Sequence, residues 1–134
     1  MDRMVEVELV RIIINDNSDQ QYIFLREKDG QRQFPIVISI VEAMAIDRFV
    51  KEQATARPLT HELLNSTIQS LGATVSRVEV TQLKSGTFYA NLVLARDGAE
   101  TVIDARPSDA IALAVRNRAP IFVHEDVIEE VVAF

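Results

Sequence analysis

The stretch Val102-Ile103-Asp104-Ala105-Arg106-Pro107-Ser108-Asp109-Ala110-Ile111-Ala112-Leu113-Ala114-Val115-Arg116 decides how this chain folds. Thr101 to Ile103 is a short apolar run that reads as a buried strand. Arg106-Pro107 stops it, and an Ala/Leu-rich helix follows. Proline is tolerated in a first helical turn, because its missing N–H has no partner there in any case. Ser108 and Asp109 suit that start, and the helix dipole favours the carboxylate. Ala110, Ile111, Ala114 and Val115 recur on one helical face. Ala112 and Leu113 widen it, so the helix is expected to be buried on more than one side. Asp104, Arg106 and Asp109 are thereby concentrated where a strand end meets a helix start, which makes this the leading candidate site.

Outward from this unit, the pattern is strand-rich. Met4–Ile14, Tyr22–Glu27 and Arg32–Ile38 read as strands, with a hairpin signal at Asp29-Gly30 and edge character at Pro35. Ser39 with Glu42 has capping-box spacing, and a helix is expected to about Gln53. Ala54–Leu59 is a connector. Thr60 is an N-cap candidate for a helix whose apolar face is Leu63, Leu64, Thr67, Ile68 and Leu71, ended by Gly72. Ala73–Leu83 and Phe88–Ala95 alternate as strands, with turns at Lys84-Ser85-Gly86 and Asp97-Gly98. Ala119–Val123 is a short strand. Glu125–Val132 is a helix burying Val127, Ile128 and Val131.

The chain repeats its own pattern. Tyr22-Ile23-Phe24-Leu25 before Lys28-Asp29-Gly30 resembles Tyr89-Ala90-Asn91-Leu92 before Arg96-Asp97-Gly98. Glu42-Ala43-Met44-Ala45-Ile46 likewise resembles Asp109-Ala110-Ile111-Ala112-Leu113. Residues 4–53 and 73–118 each read as three strands followed by a helix with an acidic first turn. The expected fold is one α+β domain over residues 1–134, with mixed or antiparallel sheets and a pseudo-twofold repeat. There is no G-x-G-x-x-G or P-loop.

At 48% hydrophobic and 25% charged residues, the composition is that of a globular chain rather than a disordered one. The absence of Cys excludes disulfides and thiolate metal sites. No apolar run is long enough for a membrane helix and the N-terminus lacks signal-peptide character, so the expected location is the cytoplasm. A net charge of −6 argues against a protein that coats nucleic acid, and only weakly against a nuclease with a local basic patch.

Two segments share a design: Arg57-Pro58-Leu59-Thr60-His61-Glu62 and Asp104-Ala105-Arg106-Pro107-Ser108-Asp109. One reading is capping and anchoring, with Arg paired to a neighbouring carboxylate. The other is chemical. Arg57, Arg106, Thr60 and Ser108 bind a phosphate, and Asp104, Asp109 and Glu62 hold Mg²⁺ or Mn²⁺, which suits carboxylates and water. His61 is fitted either for proton transfer near neutrality or for a structural hydrogen bond beside Thr60. His124 is expected at a helix start or on the surface. Glu42 is assigned to its capping box, with a role as carboxylate ligand the alternative, and Arg48 and Lys51 to a solvated helix face.

These segments resemble the bifunctional nuclease domain family of bacteria and plants, formerly a conserved domain of unknown function. The resemblance rests on Phe34-Pro35-Ile36, Glu42-Ala43, Arg57-Pro58 with Thr60-His61-Glu62-Leu63, Gly86-Thr87-Phe88-Tyr89-Ala90, Ile103 to Ala114 and Pro120-Ile121-Phe122-Val123. It implies a compact α+β domain that self-associates as a dimer, and nuclease activity on RNA and DNA. The family has Asp where this chain has Glu62, and a glycine before Arg57 where this chain has Ala54 and Ala56. Some relatives resemble this chain with an extra C-terminal helical module related to excision-repair proteins, and a partner recruited by that module is not expected for residues 1–134. The competing functions are a non-enzymatic dimeric binding or regulatory module, with an anion at a helix start, and a small-molecule phosphatase or phosphodiesterase that prefers a mononucleotide.

Overall fold

The computed structural model describes residues 3–15 and 17–132. The strands are β1 (Met4–Ile13), β2 (Gln21–Glu27), β3 (Gln33–Ile38), β4 (Thr74–Lys84), β5 (Thr87–Arg96), β6 (Ala99–Ala105) and β7 (Ile121–His124). The helices are α1 (Ile40–Val50), α2 (Thr60–Ser70), α3 (Pro107–Asn117) and α4 (Glu125–Val132). The strands form one seven-stranded sheet in the order β3-β2-β1-β7-β4-β5-β6. Each half is an antiparallel meander followed by a helix, β1-β2-β3-α1 and β4-β5-β6-α3, which is the α+β repeat expected from the sequence. The four-residue β7 joins the halves. It runs antiparallel to β1 and parallel to β4, and this makes the sheet mixed.

One face of the sheet carries the helices. Val7, Ile23, Leu25, Val78, Val80, Leu92 and Val123 form a single cluster with Ala43 and Ile46 of α1, Ile68 of α2, Ile111 and Leu113 of α3 and Ile128 of α4. The other face is laced by cross-strand polar pairs, such as Arg26 with Glu8 at 3.1 Å and Arg77 with Glu100 at 2.6 Å. This division follows from the period-2 alternation of strands.

The hairpins β4-β5 and β5-β6 turn on two residues each, Ser85-Gly86 and Asp97-Gly98, all four with positive φ. That is the signature of the turn whose twist matches paired strands. Asp29-Gly30 behaves differently. It lies in a five-residue connection, 28–32, and Gly30 is not among the positive-φ glycines. The strand expected from Arg32 begins one residue later, because the Arg32 side chain leaves toward Glu27 and Glu125.

Two helix expectations are corrected. α1 ends at Val50 rather than near Gln53, since Glu52 turns to φ 54°. The buried face of α2 is His61, Asn65 and Ile68, whereas Leu63, Leu64 and Leu71 are exposed. The polar residues can be buried because α3 supplies partners. His61 meets Asp109 at 2.8 Å, and Asn117 donates to Asn65 Oδ1 at 2.8 Å. A buried polar group with a partner escapes the desolvation penalty that otherwise favours leucine there.

Candidate functional site

Arg106 is the N-cap of α3 and Pro107 its first residue. This places Asp109 in the first turn, three residues from the cap. The Arg106 fork closes on it, with Nε 2.9 Å and Nη2 2.8 Å from Asp109 Oδ2. Nη1 faces Glu42 Oε1 at 3.3 Å. Glu42 is the first-turn acid of α1, so one arginine bridges the equivalent acids of the two repeats. The negative groups lower the energy of the guanidinium cation. Asp109, chiefly through its hydrogen bonds, and then Glu42 push Arg106 above its ordinary pKa.

Glu42 is 4% exposed. Its second oxygen accepts from the Ser39 hydroxyl at 2.6 Å. The capping box expected here is therefore a side-chain pair: Ser39 is the N-cap, but its hydroxyl serves Glu42 and makes no bond to the helix backbone. Asp109 Oδ1, the oxygen not used by Arg106, meets His61 Nε2. A carboxylate only accepts, so Nε2 carries a proton, and in the neutral form of the ring the lone pair is on Nδ1. His61 is 7% exposed and lines a cavity of about 580 Å³ with Ile40, Met44, Leu59 and Thr60. Glu42, Arg106 and Ser108 line a separate cavity of about 410 Å³.

The structure thus gathers His61, Asp109 and Arg106 and adds Ser39 and Glu42. It scatters the other candidates. Asp104 faces the wrong way: on β6 it pairs with Asn91, while its neighbours Ile103 and Ala105 pair with Leu92 and Ala90 of the core face. Cross-strand partners share a face, so Asp104 lies on the sheet's other side from α3. Glu62 is held by Arg48 of α1, at 3.3 Å from Nε to Oε2 and 3.4 Å from Nη2 to Oε1. Arg48, expected to be solvated, has a side chain only 18% exposed for the same reason.

The two Arg-Pro segments meet through the first turns of their helices, not through both arginines. Pro107 is the first residue of α3, but Pro58 precedes Leu59, the N-cap of α2. Arg57 therefore sits two positions farther from its helix than Arg106 does. Its side chain is exposed and makes no ion pair or hydrogen bond among the described residues. Thr60, expected as the cap, is instead the first helical residue. His124 lies at a helix start as expected, its Nδ1 accepting from the Asp126 N–H at 3.0 Å.

Among the described residues, no group of three or more His, Asp or Glu side chains is placed to hold a metal ion. Asp104, Asp109 and Glu62 point to three different places, and both oxygens of Asp109 are engaged. The residues do not form a ready centre for Mg²⁺ or Mn²⁺. No helix among the described residues is long and apolar enough to cross a membrane.

Two meander-plus-helix units joined by an acid–arginine–acid bridge, with α2 held to α3 by a His–Asp pair, define an α+β domain class. The chain belongs to the bifunctional nuclease domain family, which it matches over residues 23–133. It is 39% identical over 127 residues to an uncharacterized protein of Mycobacterium tuberculosis, covering 95% of this chain and 76% of that one. Bifunctional nuclease 2 of Oryza sativa subsp. japonica is 30% identical over 115 residues, 83% of this chain and 35% of the plant protein. Bifunctional nuclease 1 of Arabidopsis thaliana is 30% identical over 114 residues, 82% of this chain and 35% of its own length. The chain thus spans about a third of these plant proteins.

Proposed function

We propose that this chain is a cytoplasmic nuclease that hydrolyses phosphodiester bonds of RNA or DNA. Family membership supports the reaction class. The observation that carries the placement is His61 Nε2 held 2.8 Å from Asp109 beside the Arg106 guanidinium. Asp109 orients the ring, so Nδ1 is the basic atom. As a water oxygen bonds to phosphorus, Nδ1 takes its proton, and the leaving oxygen departs with the old P–O electron pair and takes a proton from solvent. Arg106, with a side chain 67% exposed, presents its open side to a phosphate oxygen. Thr60 and Ser108 are polar contacts in the two flanking cavities. A divalent ion, if carried in with the substrate, would supply charge neutralisation at the phosphate, and Asp109 and Glu62, the carboxylates beside His61, would face it. Among the described residues the carboxylates do not converge on one point.

The test is cleavage of end-labelled RNA and single-stranded DNA with Mg²⁺, with Mn²⁺ and with EDTA. Cleavage confined to the metal-containing reactions is expected. Equal cleavage in EDTA overturns metal dependence, and no cleavage under any condition overturns the nuclease reading.

A specific observation favours a second reading, a non-enzymatic dimeric module. The Asp109 and Glu42 carboxylates are already engaged, as in a structural lock. Val41, Met44, Leu59 and Leu63 are also exposed on neighbouring helix faces, a surface suited to a second copy of the chain. Dimerisation is compatible with either function.

A further inference from the structure

The His61 corner carries two carboxylates, Asp109 and Glu42, against one guanidinium. It attracts a polyanion poorly by itself, so a nuclease built on it needs cations elsewhere. They occur at the opposite ends of the same helices. A cavity of about 870 Å³ lies between the C-terminal ends of α1 and α3, the connector 51–59 and α2. Arg48, Arg116 and Arg118 line it, with Phe49 and Val115 as apolar wall. The acidic lining residues are Glu62 and Glu52, and both are paired, Glu62 with Arg48 and Glu52 with Arg118 at 2.6 Å.

Arg116 is exposed and its side chain makes no ion pair or hydrogen bond among the described residues. The cavity therefore has one cation in excess, inside a chain of net charge −6. The Arg118–Glu52 pair is 84% and 70% exposed, and such surface pairs contribute little, so Arg118 exchanges its partner readily. The cavity shares Arg48 and Pro58 with the cavity of about 580 Å³ that contains His61. The two adjoin across these residues, the first carrying the cation Arg116 and the second the apolar side chains Ile40, Met44 and Leu59.

We propose that this groove is the track for single-stranded nucleic acid, with Arg116 and Arg118 as a phosphate subsite distant from the cleaved bond. Basic grooves that follow a backbone, with flat or apolar surfaces for the bases, are the general means of binding single strands. The apolar lining at Phe49, Val115, Ile40 and Met44 suits unstacked base faces, which a duplex keeps stacked inside. The inference rests on the nuclease reading above and specifies its substrate as a single strand.

The test is fluorescence anisotropy of labelled 12-mer RNA and DNA, single-stranded and as a hairpin duplex, across a salt series. The variant is Arg116→Ala with Arg118→Gly. Arg118 has φ 55°, where glycine preserves the helix ending. Lys28→Ala, whose lysine pairs with Glu6 at 3.3 Å, is the control.

Each lost contact should flatten the slope of log affinity against log salt by about 0.7 for a single strand, so the variant's slope should be shallower by about 1.4. Its affinity should fall about tenfold, with the control unchanged and the duplex bound more weakly than the single strand. Unchanged affinity and slope in a folded variant overturn the groove, as does preference for the duplex or no binding by the wild type. A wild type that cleaves while the variant binds normally refutes the groove and leaves the nuclease reading standing. Weakened binding by the variant, with no cleavage by the wild type, refutes the nuclease reading alone.

Discussion

Replacing Arg106 by Gln tests the bridge between the two repeats. The guanidinium holds Asp109 on α3 and Glu42 on α1. Asp109 keeps His61 when Arg106 is lost. Glu42, with a side chain 6% exposed, keeps only the Ser39 hydroxyl among its described partners. Removing one member of a fully buried ion pair costs about 3–5 kcal/mol, because a charge is left in low dielectric. Arg106 is two-thirds exposed, so water reaches the vacated position, and we discount the cost to about 2 kcal/mol. For a chain of this length, that lowers the melting temperature by about 6–8 °C. The double variant E42Q/R106Q carries no stranded charge and should lose only about 1 kcal/mol, giving a coupling of at least about 1 kcal/mol in the cycle. Urea and thermal melts at pH 7 on the wild type, both single variants and the double variant measure this. Additivity of the two single changes within about 0.3 kcal/mol refutes the bridge as an energetic link.

Two further outcomes follow from other contacts. Arg32 and Arg3 lower the pKa of Glu125, Arg32 chiefly through hydrogen bonds of 2.6 and 2.9 Å. A depressed carboxylate contributes stability above its unfolded pKa, near 4.3, and loses it as pH falls through the folded value. E125Q should therefore melt lower than wild type at pH 7, by about 1.5–3 kcal/mol, and converge with it in acid. A constant gap between the two melting curves from pH 7 to 3 contradicts this. The exposed apolar strip predicts self-association. L63E combined with V41E should shift the sedimentation coefficient to that of a monomer with unchanged circular dichroism, and a wild type already monomeric removes the strip's assignment.

What could be read from the sequence was set by local chemistry. Ser85-Gly86 and Asp97-Gly98 were legible as hairpins because tight turns demand positive φ, which short polar residues and glycine accept. The core of α3 was legible because Ala110 to Ala114 is apolar all round. What was misread depended on distant partners. Leucine-rich α2 turns its leucines outward because Asp109 and Asn117, 48 and 52 residues away in sequence, satisfy His61 and Asn65. Asp104 lies only five positions before Asp109, but a strand sends successive side chains to opposite faces, so nearness in sequence gave no convergence. Arg57 copies the Arg-Pro motif but not its place relative to the helix cap. The Arg32–Glu125 contact spans 93 residues, and no local pattern announces it.

The central claim is that His61, held by Asp109, moves the proton. It is tested most directly by single-turnover cleavage of a labelled single strand by H61Q, whose amide can still donate to Asp109. Loss of a positioned proton-transfer group should slow the chemical step by about 10²–10⁴-fold while thermal melting and oligonucleotide affinity stay near wild type. A folded H61Q that cleaves at the wild-type rate contradicts the account.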